Sequence, residues 1–94
     1  MSWPEAIFEI ELRNHPGALS HVVGLFARRA CNVEKLVCLP SDTGTTSRLW
    51  IATEAIADPA RMARFVAGLE DVVTVRVGAE TRVNTANRWP ILEP

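Results

Sequence analysis

Residues 13–20, Arg-Asn-His-Pro-Gly-Ala-Leu-Ser, hold the chain's densest grouping of atoms able to recognise a small charged molecule. Asn14 offers a donor and an acceptor, and Pro16-Gly17 turns the backbone just before an apolar, helix-like run. The first amides of a helix have no internal acceptor, and the macrodipole adds partial positive charge there. Such a loop receives a carboxylate without any cationic side chain. The expected donors are the amides of Gly17, Ala18 and Leu19. The chemistry expected is recognition rather than catalysis. His15 is a weak metal candidate, because His21, Cys31 and Cys38 stand at no recognised ligand spacing from it, and no metal site is expected.

The elements that position this loop follow from hydrophobic period. Phe8, Ile10 and Leu12 alternate with Glu9, Glu11 and Arg13, which predicts a strand over 7–12. Leu19, Val22, Val23, Phe26, Ala27 and Ala30 recur at three-to-four spacing, which predicts a helix over 18–30. After a turn at Cys31-Asn32, a second strand is expected over 33–39, stopped by Pro40 and a turn-forming loop over 41–46. A third strand over 47–53 places Leu49, Ile51 and Thr53 on one face and Arg48, Trp50 and Ala52 on the other. Asp58 as N-cap and Pro59 at the first helical position open a second helix, with Met62, Phe65, Val66 and Leu69 on its apolar face and its end at Glu70-Asp71. A fourth strand over 72–77 alternates Val73, Val75 and Val77 against Thr74 and Arg76. The order is βαββαβ. Right-handed crossovers make it an α+β, ferredoxin-like arrangement: a four-stranded antiparallel sheet with both helices on one face.

Composition sets the bounds. With 94 residues, 48% hydrophobic and 22% charged, the chain fits one small domain, expected over 1–78, with a tail over 79–94 that is either flexible or an arm ordering on a partner. A net charge of −1, with all ten basic residues except Lys35 being arginines scattered along the chain, argues against a sequence-independent nucleic-acid binder. Two cysteines beside apolar runs fit reduced thiols and a cytoplasmic compartment. No basic-then-apolar leader and no apolar run near the ~20 residues of a membrane span is present, so neither secretion nor membrane insertion is expected.

The second strand points to assembly. Leu36, Val37, Cys38 and Leu39 are consecutive apolar residues in a strand that this topology puts at a sheet edge, where an exposed apolar run invites pairing. A two-fold copy is the simplest partner, which predicts a homodimer around this strand and the first helix. On the face opposite the helices, Trp50 sits beside Arg48 and across from Glu9 and Glu11. An aromatic ring beside arginine is typical of a binding hot spot, and the alternative is cover by the tail residues Trp89-Pro90-Ile91-Leu92.

Several blocks occur in order over roughly residues 6–78: Leu12-Arg13-Asn14-His15-Pro16-Gly17, Gly24-Leu25-Phe26-Ala27-Arg28-Arg29-Ala30, Asn32-Val33-Glu34, Cys38-Leu39-Pro40 and Leu69-Glu70-Asp71-Val72-Val73. Together they resemble the ACT-domain small subunits of acetolactate synthase, also called acetohydroxyacid synthase, in the short form that serves the valine-sensitive isozyme. The resemblance implies a non-catalytic regulatory subunit of branched-chain amino acid biosynthesis. It would bind and activate the large catalytic subunit and confer feedback inhibition by valine at the ACT dimer interface. Thiamine diphosphate, magnesium and FAD are then expected on the catalytic subunit and no cofactor on this chain. By position, the effector site falls on Asn14, His15, Pro16, Gly17, Ala18, Leu19 and Asn32, with Leu36 and Val37 of a partner's second strand as apolar walls. Arg48, Trp50 and Trp89 are the expected contacts with the catalytic subunit. Long-form members carry Glu-Ser where His15-Pro16 stands. A generic ACT sensor for another enzyme is the alternative. An acylphosphatase-like hydrolase using Arg13 is a weaker one, lacking the glycine-rich loop around its arginine.

Overall fold

The computed structural model describes residues 6–79. Its elements are β1 (Ala6–Arg13), α1 (Ala18–Arg28), β2 (Val33–Pro40), β3 (Thr46–Thr53), α2 (Pro59–Ala67) and β4 (Val72–Ala79). The strands form one antiparallel sheet in the order β2-β3-β1-β4, so the expected ferredoxin-like topology is present and β2 lies at an edge.

The alternation in β1 sets the sheet's two faces. Phe8 pairs with Ile51 and Ile10 with Leu49, and these four are fully buried against Val22 and Phe26 of α1 and Val66 of α2. The Phe8 and Phe26 rings meet edge to face, 5.1 Å between centroids, joining sheet to helix at the centre of the core. On the opposite face Glu9 stands across from Trp50 and Glu11 from Arg48. That face is not solvent-exposed along its whole length, because Ile7 and its partner Ala52 are also buried.

Three local departures from the sequence reading have identifiable causes. The first helix stops at Arg28 rather than at residue 30, because Ala30 adopts a left-handed conformation (φ 55°). The Ala30 N–H then donates to Ala27 O at 3.0 Å and the Cys31 N–H to Phe26 O at 2.9 Å, the bond pair of a Schellman termination. The left-handed residue of this termination is thus Ala30. The second helix ends at Ala67, and Leu69 packs against the core from the turn beyond it. Its start is as expected, with Asp58 Oδ1 accepting from the Arg61 N–H at 3.1 Å and Pro59 in the first turn.

The third departure is in β4. Leu12 pairs with Val72 but Glu11 with Thr74, so Val73 is the extra residue of a β-bulge and is 43% exposed. The bulge moves the period by one, and Val72, Val75 and Val77, not Val73, pack against the core. A similar shift in β2 between Val33 and Lys35 leaves Glu34 unpaired with β3.

An alanine held left-handed carries a backbone cost of roughly 1–2 kcal/mol that glycine avoids, partly offset by glycine's greater freedom in the unfolded chain. Ala30→Gly is therefore expected to raise stability by about 1 kcal/mol, read as a higher denaturant midpoint at unchanged slope.

Candidate functional site

The loop between β1 and α1 is fixed from both sides. Arg13 N–H donates to Asp71 O at 2.8 Å, tying the end of β1 to the start of β4, and Asn14 N–H donates to Thr45 O at 3.0 Å. The Asn14 side chain continues this second link, with Nδ2 donating to Gly44 O at 3.1 Å and Oδ1 accepting from Ser47 Oγ at 3.4 Å. Asn14 thus anchors the β2–β3 turn, leaving one amide hydrogen and one lone pair for anything else.

Gly17 then reverses the chain into α1 at φ +87°, with no side-chain cap. Nothing lies within 4 Å of where a Cβ would be, so glycine is required here by backbone conformation rather than by space. Gly17 O accepts the first helical bond, from the His21 N–H at 3.0 Å. Of the amides expected to face a ligand, that of Ala18 donates back to His15 O at 3.1 Å. The N–H groups of Gly17, Leu19 and Ser20 have no acceptor among the described residues. Ser20 was not singled out in the sequence. Its part follows from the helix starting at Ala18, with Gly17 as its cap.

Beside these amides lies a cluster the sequence reading missed. Asp71, only 9% exposed, faces two imidazoles: His15 Nδ1 is 3.2 Å from Oδ1 and His21 Nδ1 is 3.9 Å from Oδ2. Far apart in sequence, these residues meet because β4 starts against the end of β1. A carboxylate opening the strand that must adjoin this loop was the available signal. Among the described residues no three His, Cys, Asp or Glu side chains form a metal-binding group.

The remaining expected site residues separate. Leu36 pairs with Ile51 and Val37 with Trp50, so Leu36 and Cys38 stand on the helix side of β2 while Val37 and Leu39 stand on the other. Leu36 and Val37, both expected as apolar walls, therefore stand on opposite faces of the sheet. Leu36 and Leu19, each 38% exposed, lie on the helix side and on α1, which packs against β2. The exposed Asn32 uses its carbonyl to accept from Glu54 N–H at 3.0 Å, closing the far end of the β2–β3 hairpin.

On the opposite face, Trp50 is half-buried rather than a bare ring, with the Arg48 guanidinium 6.0 Å from its centre. Arg48 and Arg76 both reach Glu9, at 3.8 and 3.4 Å. Trp89 and the tail over 80–94 lie outside the described residues. Arg29 is not simply solvated, as a helix-end residue would be. Its guanidinium stacks on Phe65 at 3.6 Å, beside a cavity of about 300 Å³ that Cys31, Ile56 and Met62 also line. Burial pushes the Cys31 and Cys38 thiols above the ordinary thiol range.

Comparison with known proteins agrees with this fold. The sequence pattern of the AHAS small subunit-like ACT domain matches residues 8–74. The chain is 44% identical over 70 residues to the acetolactate synthase isozyme 1 small subunit of Escherichia coli (strain K12), covering 74% of this chain and 73% of that one. It is 42% identical over 69 residues to the acetolactate synthase small subunit of Haemophilus influenzae, covering 73% of this chain and 41% of that one. Among solved structures, the acetolactate synthase small subunit from Thermotoga maritima superposes with a TM-score of 0.69 at 30% identity, over 78% of this chain and 46% of that one. The ACT domain of a GTP pyrophosphokinase from Chlorobium tepidum shares the fold at a TM-score of 0.68 and 12% identity, over 83% of this chain and 100% of that one.

Because Gly17 has open space but a left-handed backbone, Gly17→Ala is expected to cost about 1–2 kcal/mol in denaturant unfolding without a steric clash. Raised above its ordinary range and 7% exposed, the Cys31 thiol should alkylate slowly at neutral pH until the chain is unfolded. A thiolate is scarce below the raised value, so labelling should accelerate only at alkaline pH.

Proposed function

The chain belongs to the family of AHAS small subunit-like ACT domains, and from that membership we propose that it is the regulatory small subunit of an acetolactate synthase, activating the catalytic large subunit and making it sensitive to valine. The observation that supports the effector site is the set of amides on Gly17, Leu19 and Ser20, without acceptors among the described residues, at the start of α1 on the helix side of the sheet edge formed by β2.

In this reading two copies pair through β2, which presents Leu36 on the helix side of its free edge. Valine's carboxylate meets the three free amides, where the helix dipole also favours negative charge. The remaining donor and acceptor of Asn14, together with backbone carbonyls, take the polar head. Leu36 of the second copy contacts the branched side chain. A pocket of this kind separates aliphatic side chains by only about 1–3 kcal/mol per methylene, so leucine and isoleucine should compete weakly. The Arg48–Trp50 face, away from the effector, is the surface offered to the catalytic subunit. Thiamine diphosphate, magnesium and FAD belong to that subunit, and the compartment is the cytoplasm. Among the described residues no helix is long and apolar enough to cross a membrane.

Inhibition needs no chemistry in this chain. Valine bridging two protomers favours one arrangement of the small-subunit dimer, and it inhibits to the extent that this arrangement suits the large subunit less well. Tight binding without that difference shifts nothing.

In the reconstituted holoenzyme, Gly17→Asp should place a carboxylate at the effector's own position and abolish valine inhibition while activation persists. Gly17→Ala, which shares the backbone strain without the charge, is the control and should keep most of the inhibition. Asn14→Ala should weaken inhibition by roughly tenfold in effective valine concentration, about the worth of one or two hydrogen bonds. Equal valine sensitivity in Gly17→Asp and the unmodified chain would move the site elsewhere.

A further inference from the structure

We propose that Asp71 is a positioning residue that presents His15 to the effector's carboxylate, so that the chain binds its effector more tightly as pH falls. The proposal rests on the reading of the β1–α1 loop as the effector site.

The geometry divides the roles of the two ring nitrogens. Asp71 Oδ1 lies 3.2 Å from His15 Nδ1, and a buried carboxylate accepts but does not donate, so it holds the proton on Nδ1. Nε2 of the neutral ring is then a lone pair, which repels a carboxylate. Protonation turns Nε2 into a second donor and adds a positive charge next to the amides of Gly17, Leu19 and Ser20. His15 is half exposed, its side chain 52% accessible, so the ring is open to a ligand from outside the Asp71 contact. Asp71 supplies the reason for needing this charge. Its own carboxylate, close to the helix start, opposes a second anion, and a protonated His15 between them offsets that repulsion.

The other charged groups nearby leave this assignment to Asp71. On α1, His21 faces Asp71 Oδ2 at 3.9 Å, beyond hydrogen-bond length, and serves as a weaker second cation. Arg13 at the end of β1, Glu70 before Asp71, and Asp42 in the β2–β3 turn make no ion pair with either ring among the described residues. Backbone anchoring is separate from this role, because the Arg13 N–H bonds to the Asp71 carbonyl, which a side-chain substitution leaves in place.

The test is calorimetric titration of valine into the full chain at pH 8 and pH 6, a range in which histidine changes charge. The unmodified chain should bind valine roughly tenfold more tightly at pH 6. His15→Gln should bind with little change between the two pH values, and Asp71→Asn, which frees the ring's tautomer and removes the opposing charge, should also flatten the profile. His21→Gln should keep most of it. A merely structural Asp71 would lower melting temperature and affinity at both pH values while preserving their ratio. A preserved ratio in Asp71→Asn, or in His15→Gln should the former fail to fold, overturns the proposal. No heat with the unmodified chain at either pH overturns the effector-site reading, and this inference with it; binding that is tight but independent of pH overturns this inference alone.

Discussion

An α-helix cannot satisfy its own first amides, and α1 begins where this chain provides no side chain to do so. Gly17 sits where serine, threonine or aspartate usually caps, and it contributes a left-handed turn instead of an oxygen. Among the described residues the N–H groups of Gly17, Leu19 and Ser20 have no acceptor, and the helix dipole stands behind them. An anion received there would relieve the cost of leaving them uncapped. Much of the surrounding structure serves to hold this helix start in one place.

The holding is done by backbone rather than by bulk. β1 is central in the sheet, so its end at Arg13 is flanked by β3 on one side and β4 on the other. The loop leaving it is bonded to both neighbours: Arg13 to the carbonyl of Asp71, and Asn14 to Thr45 and Gly44. Behind it, the edge-to-face contact of Phe8 and Phe26 locks α1 to the same strand. Loop and helix are therefore registered to one rigid element, and a change in the β2–β3 turn or at the start of β4 is felt at the helix start. In the proposed dimer this would supply a physical route from the β2 edge, through its turn, to the amides at the start of α1.

Much of this was legible in the sequence. Alternation gave β1 and β3, Asp58-Pro59 gave the start of α2, and the βαββαβ order put the strand with the apolar run over 36–39 at a sheet edge. What escaped were features in which one residue changes the count. The bulge at Val73 moved a strand's period, and left-handed Ala30 ended a helix early, neither being a residue type that announces such a conformation. The turn at Gly17 into a helix starting at Ala18 was legible as well. Which amides remain free depends on the turn bond from Ala18 to His15, and the pairing of Asp71 with His15 and His21 depends on tertiary proximity. Leu36 and Val37 were expected as apolar walls, and which face of the sheet each presents depends on the register with β3, where Leu36 meets Ile51 and Val37 meets Trp50.

The central claim is that the free amides at the start of α1 receive the effector's carboxylate. Amide proton and nitrogen shifts of the isotopically labelled full chain, followed as valine is added, test it most directly. The account predicts that Gly17, Leu19 and Ser20 move furthest, in the direction of stronger hydrogen bonding, while Ala18, already bonded to His15, moves less. Saturating shifts centred instead on the cavity beside the Arg29–Phe65 stack, with residues 17–20 unmoved, would contradict it.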